Sequence, residues 1–259
     1  MKRAQKISTN VYLFLIYLFT YAPIVVLMMY SFNNSKSRGK FGGFTLKWYQ
    51  QMFESDAIMS ALWTTLTVAV LSAAIATVIG TVAAVSIHNM KKRSRGVVMN
   101  ITYLPVLNPD IVTGVSLLLL FVFLKIKLGY VSMLLAHITF NIPYVILSVL
   151  PKLKQMNVSL YDAALDLGAH PVTAFFKVVL PEIMPGVVTG CLLAFTLSID
   201  DFVISFFTAG AGVENLSIFI YNSTRKAINP SIYALSTLMF VTIFTLLLIV
   251  NRRTKQSES

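Results

Sequence analysis

Charge is scarce in this sequence. Only 12% of its 259 residues are Asp, Glu, Lys or Arg, against about 25% in an ordinary globular domain. Hydrophobic residues make up 56%, and the mean hydropathy is +0.75. A water-soluble protein so poor in polar side chains could not cover its surface, so a soluble enzyme and a disordered chain are excluded first. Acidic residues are scarcer still, 10 against 21 basic ones. In a soluble protein that excess would point to nucleic acid. In so apolar a chain it points instead to basic residues in short loops that set membrane orientation, and no nucleic-acid partner is expected. Cysteine is nearly missing: Cys191 stands alone in an apolar run, so no internal disulfide can form. The phosphate-binding pattern Gly-x-x-x-x-Gly-Lys-Ser/Thr is lacking. Gly39-Lys40 is followed by Phe41 and has no upstream glycine, so ATP hydrolysis by that chemistry is not expected of this chain. The three histidines, His88, His137 and His170, are far apart and show no metal-ligand spacing. His137 reads as a hydrogen-bonded residue within a span, and the scattered methionines read as core filler.

What is present is a succession of apolar stretches near the roughly 20 residues a bilayer span requires. Residues 7–35 carry no Asp, Glu, Lys, Arg or His and follow Lys2, Arg3 and Lys6. A basic start before an apolar run also describes a signal peptide. The core from Val11 to Phe32 is longer than a signal peptide's apolar region, and no small-x-small cleavage pattern follows, so it reads as an uncleaved span. Residues 33–56 are a polar loop leading to a short amphipathic segment around Trp48 and Tyr49, expected to rest on the membrane surface. Further spans are expected over 57–87, over 96–124 with Asp110 as its one charge, and over 130–150. A fifth, 183–208, is interrupted by Asp200 and Asp201, and a sixth covers 231–250. The expected fold is an all-α polytopic membrane protein with six transmembrane helices. Its segments are an N-terminal helix and outer loop (1–56), a membrane domain (57–251) and a tail (252–259).

Basic residues orient it. Lys2, Arg3 and Lys6, the cluster Lys91, Lys92, Arg93 and Arg95, then Lys152, Lys154 and Lys177, and finally Arg252, Arg253 and Lys255 fall on one side. They outnumber Lys36, Arg38, Lys40, Lys47, Lys125, Lys127, Arg225 and Lys226 on the other. The rule that basic loops stay inside then places both termini in the cytoplasm.

The longest polar connection between spans, 151–182, has more local structure than a simple link requires. Ser159 can cap a helix, with Asp162 completing an approximate capping box. Leu160, Ala164 and Leu167 share one helical face, and Asp162 and Asp166 share another. Gly168 suits the left-handed position after the last turn, Pro171 the first turn of a second short helix, and Pro181 is expected to end that helix. This stretch resembles the signature of the permeases of type I binding-protein-dependent ABC importers: Glu-Ala-Ala, three residues, Gly, nine residues, Ile-x-Leu-Pro. Here it reads Asp162-Ala163-Ala164, Gly168, then Val178-Val179-Leu180-Pro181, with every spacing kept and with Asp162 for Glu and Val178 for Ile.

Three carboxylates lie in apolar surroundings: Asp110, Asp200 and Asp201. Each costs roughly 2.5–3.5 kcal/mol at a span centre, so such residues face a cavity or a partner rather than lipid. Pro105 and Pro109 bend the chain before Asp110. Asp200 and Asp201 are adjacent, their charges repel, and a polycation between them would relieve the repulsion. Tyr103, Tyr144, Phe202 and Phe206 lie near them in sequence and could face the cationic groups of such a ligand. Asn108-Pro109-Asp110-Ile111-Val112 and Phe195-Thr196-Leu197-Ser198-Ile199-Asp200-Asp201-Phe202 look like the matching stretches of spermidine/putrescine importer permeases.

The resemblance implies a transport subunit of the bacterial inner membrane, without enzymatic activity, that forms half of a polyamine pathway. It implies a heterodimer with a second permease, two copies of an ABC ATPase carrying ATP and Mg, and an extracytoplasmic substrate-binding protein. No cofactor is expected in this chain. Asp162, Ala163, Ala164, Gly168, Leu180 and Pro181 would form the ATPase-coupling hairpin, and Asp110, Asp200 and Asp201 the substrate path. Two other readings of the membrane acids stand beside it: a proton-coupled secondary transporter of organic cations, and an intramembrane aspartyl protease using Asp110 with Asp200 or Asp201.

Overall fold

The computed structural model describes residues 2–35, 40–225 and 230–257. Lys36, Arg38 and Lys226, counted above among the outer basic residues, lie outside these. The described chain is helical. α1 (Lys2–Ser31), α2 (Lys47–Phe53), α3 (Asp56–Asn89), α4 (Lys92–Leu107), α5 (Asp110–Phe123) and α6 (Tyr130–Gln155) lead to two short helices, α7 (Val158–Asp166) and α8 (Pro171–Ala174). A π turn over Phe175–Val179 joins α8 to α9 (Leu180–Asp200), and α10 (Val203–Thr208), α11 (Leu216–Thr224) and α12 (Ser231–Ser257) follow.

Four segments among the described residues are long and apolar enough to cross a membrane: Thr9–Ser31, Asp56–Asn89, Tyr130–Gln155 and Pro171–Asp200. The third expected span is not one rod. α4 and α5 meet at 107°. Pro109 disfavours helical backbone at Asn108, which is extended at ψ 145°, and the helix restarts at Asp110. The pair makes a fifth span if counted as one, and Ser231–Thr245 is a shorter apolar stretch.

The chain falls into two compact units, Met1–Met59 with Ile220–Ser259, and Ser60–Phe219. In the first, α12 packs on α1 and α2, with the rings of Tyr30 and Tyr233 6.2 Å apart. Asn33 organises the turn after α1. Its Oδ1 accepts from Gly42 N at 2.7 Å and Ser35 N at 3.1 Å, and its Nδ2 donates to Lys40 O at 2.9 Å. The segment expected to rest on the membrane surface packs on this turn through one side. Trp48 is 2% exposed, its Nε1 donates to Asn33 O at 2.7 Å, and the Tyr49 hydroxyl meets Ser31 Oγ at 2.8 Å. Burying the indole while pairing its N–H is the favourable outcome for tryptophan.

The second unit is built around α6. In lipid, helices associate through close packing of small residues, and α9 presents Gly186 and Gly190 to α6. A Cβ at Gly186 would lie 2.8 Å from Ser148 O, and one at Gly190 3.1 Å from Val145 Cα. Gly80 of α3 approaches Val145 from another side, and Ala73, Ala76, Ala84 and Ala194 continue this core of small residues. On the same helix, Ala136 and Phe140 join Leu117 and Phe121 of α5 and Ile204 of α10 in a second cluster.

Candidate functional site

In the hairpin between α6 and α9, helix α7 is capped at both ends. Asn157 is extended, and its side chain accepts from Ser159 N at 3.1 Å. The cap is therefore Asn157, not the expected Ser159, because the helix starts two residues earlier and an Asn oxygen reaches the second free amide of the first turn. At the other end Gly168 takes φ +84°. Its N–H donates to Leu165 O at 2.9 Å, and Ala169 N donates to Ala164 O at 3.0 Å, the paired bonds of a Schellman motif. His170 Nδ1 then accepts from Val172 N at 3.4 Å, and Pro171 opens α8 as expected.

Pro181 does not end a helix. It sits in the first turn of α9, just beyond the π turn. The wider turn reconciles a proline with a continuing helix, because it removes the ordinary helical partner carbonyl against which the ring would clash.

The hairpin exposes apolar side chains among its polar ones. Leu167 is 89% exposed, and Leu160, Val172 and Phe176 are exposed with it. Asp162, Ala163 and Asp166 are exposed beside them, while Tyr161, Ala164 and Leu165 turn half-inward. Leu160, Ala164 and Leu167 thus do not form one buried stripe: the two leucines point out. Beneath the hairpin, Tyr161 and Phe175 border a small cavity with His88, Leu153, Met156 and Val179.

The three carboxylates are placed differently from one another. Asp110 is exposed as the first residue of α5, just after the bend. Asp200 is exposed as the last residue of α9. Asp201 lies in the break between α9 and α10, and its side chain is 8% exposed. Its Oδ1 accepts from Ile204 N at 3.2 Å and its Oδ2 from Ser205 N at 2.7 Å, so it satisfies the free amides at the start of α10. The same Oδ2 is 3.5 Å from Nε2 of His137, which is itself 1% exposed. Among the aromatic residues noted near these acids, the Phe202 and Phe206 rings lie 5.4 Å apart, and Tyr144 stands 5.2 Å from Phe140.

His137 has the hydrogen bond expected of it, to Ser205 Oγ at 2.9 Å, but its carboxylate neighbour was not read from the sequence. Nor were Asn215, whose Nδ2 donates to Ser205 Oγ at 2.8 Å and Asp201 O at 3.0 Å, or Asn141, which donates to Ser198 Oγ at 2.8 Å. Ser198 Oγ in turn lies 3.0 Å from Ser72 Oγ. The signal available was His137 and Asn141 four residues apart, hence on one face of an apolar helix.

The sequence profile of the family described as "binding-protein-dependent transport system inner membrane component" matches residues 76–256. The spermidine/putrescine transport system permease protein PotC of Escherichia coli (strain K12) is 40% identical over 226 residues, which is 87% of this chain and 86% of that protein. The putrescine transport system permease protein PotI of the same strain is 41% identical over 237 residues, 88% of this chain and 84% of that protein. Among solved structures, a bacterial ABC transporter involved in the import of the acidic polysaccharide alginate superposes with TM-score 0.73 at 17% identity, covering 98% of this chain and 96% of that one. The MetNI methionine ABC transporter in an inward-facing form gives TM-score 0.61 at 20% identity, covering 79% of this chain and 99% of that one. At those identities the two structures attest the fold alone.

Proposed function

The chain belongs to the inner membrane components of binding-protein-dependent transport systems, and we propose that it is one of two permease subunits of an ATP-driven polyamine importer. The observation that carries this reading is the exposed hairpin. Asp162-Ala163-Ala164 and Gly168 lie in a capped elbow whose exposed apolar residues include Leu160, Leu167 and Val172, with Leu180-Pro181 behind it at the start of α9. An exposed apolar surface of this kind suits a groove on a separate ATPase subunit, which supplies ATP and Mg, while this chain carries no cofactor of its own. Both termini, the Lys91–Arg95 cluster and the hairpin then lie in the cytoplasm.

A polyamine cargo suits the two open carboxylates. Asp110 begins α5 after a proline-made bend and Asp200 ends α9, so both acids stand where helices are interrupted, as ligand groups do in transporter cores. The relatives named above transport spermidine or putrescine. A second permease chain completes the pathway, and an extracytoplasmic binding protein delivers the cargo. ATP binding closes the two ATPase copies, the hairpins transmit that motion, and the cavity opens outward to be loaded. Hydrolysis returns it inward.

The test is uptake of radiolabelled putrescine and spermidine by cells expressing the whole transporter. Asp110→Asn and Asp200→Asn variants are expected to lose most uptake at unchanged protein level, and wild-type uptake by both would remove them from the path. Purification through this chain is expected to bring along an ATPase with a phosphate-binding loop. Transport that persists without that ATPase would overturn the importer reading in favour of an ion-coupled one.

A further inference from the structure

We propose that Asp201 does not meet the cargo but, together with His137, fixes the position from which Asp200 does, making His137 a positioning residue for cargo binding. The inference rests on the polyamine-path reading of Asp200. Two adjacent acids at one helix break have opposite surroundings. The Asp200 side chain is exposed. The Asp201 carboxylate is spent on Ile204 N and Ser205 N, so drawing it toward a cation would strip the start of α10 of its cap. A buried carboxylate held by several donors is a fixed point, and Asp200 is its covalent neighbour.

α6 holds that fixed point from the side. His137 Nε2 reaches both Asp201 Oδ2 and Ser205 Oγ. Five residues earlier on α6, Ser132 Oγ donates to Thr208 O at 2.7 Å. One helix therefore pins α10 at its first turn and at its last residue. The backbone around the acids is held too: Asn215 Nδ2 donates to Asp201 O, and Ser217 Oγ donates to Asp200 O at 3.3 Å. Asn215 Oδ1 meanwhile accepts from Ile218 N at 2.9 Å, which ties the first turn of α11 to the same point. The direction of the Asp200 side chain is thus set jointly by the carbonyl contacts from Asn215 and Ser217 and by the α6 contact to Asp201 and Ser205. Loss of His137 takes one neighbour each from Asp201 and Ser205, so the break keeps its backbone partners but loses its tie to α6, and the Asp200 side chain shifts with it.

The experiment measures putrescine uptake kinetics in cells expressing the full transporter, with the amount of assembled complex quantified for each variant. His137→Ala removes both the Ser205 bond and the 3.5 Å contact with Asp201, and is expected to raise KM about tenfold, roughly 1.4 kcal/mol, while the maximal rate per assembled complex stays within about twofold. His137→Gln keeps a donor and is expected to restore much of the wild-type KM. A lower amount of complex with unchanged KM would make His137 merely structural and overturn the inference. If His137→Ala fails to accumulate, Asn215→Ala is judged by the same KM criterion. The Asp200→Asn control separates the two failures. Wild-type KM in Asp200→Asn removes Asp200 from the path, whereas a defective Asp200→Asn beside an unaffected His137→Ala overturns only the positioning role.

Discussion

Gly186 and Gly168 each call for glycine, for unrelated reasons. At Gly186 the space is filled: an added Cβ would meet Ser148 O at 2.8 Å and the Lys152 side chain at 2.9 Å. At Gly168 the space is open, with no atom within 4 Å of such a Cβ, and only the positive φ calls for glycine. Gly186→Val is therefore expected to destabilise the α6–α9 contact by about 1–3 kcal/mol, read as a lower unfolding temperature of the detergent-solubilised complex. A Gly186→Val protein that melts like wild type would mean that α6 and α9 can separate without cost. Sequence alone distinguishes these glycines poorly, because a close approach is a property of two helices, whereas a turn after a capped helix is local. The same limit applied to Asp200 and Asp201. Their adjacency was plain, but which one turned inward depended on where α9 stopped and on a histidine more than sixty positions earlier.

At the scale of elements, the hairpin was readable where its chemistry is local. Gly168 at the helix end and Pro171 at the next helix start follow from dihedral preference alone. Pro181 was misread because a π turn leaves no local signature that separates it from a helix end. The bend between α4 and α5 lies between these cases: two prolines announced a kink, but not that it would reach 107°. Gly168→Val forces a β-branched residue into the left-handed region, a penalty of about 1–2 kcal/mol or more. The elbow is expected to reopen. ATP hydrolysis by the assembled complex should then no longer drive uptake, while membrane insertion is unchanged. Equal ratios of putrescine transported to ATP hydrolysed in wild type and variant would count against the hairpin as the coupling element. Asn157→Ala removes the opposite cap, typically about 1 kcal/mol, and is expected to give a weaker form of the same defect.

At the scale of the whole molecule, composition announces a membrane protein, because lipid imposes the same length and apolarity on every span, and the basic clusters propose an orientation for it. Span boundaries were less legible where helices break, as α4–α5 and α9–α10 do. Partners are not visible in one chain except as surfaces left bare. The orientation is open to direct measurement: with Cys191→Ser removing the lone thiol, Arg93→Cys is expected to react with a membrane-impermeant maleimide only after the cytoplasmic face is exposed, and labelling of intact cells would reverse the topology. The widened turn over Phe175–Val179 has a consequence of its own for the assembled machine. It sets the rotary phase between hairpin and span, as a keyway sets a gear on its shaft. Deleting a single residue there would turn all of α9 by about 100°, swing Gly186 and Gly190 off α6 and bring bulkier side chains against it. In the proposed importer, the stroke delivered to the membrane would be indexed by a residue count.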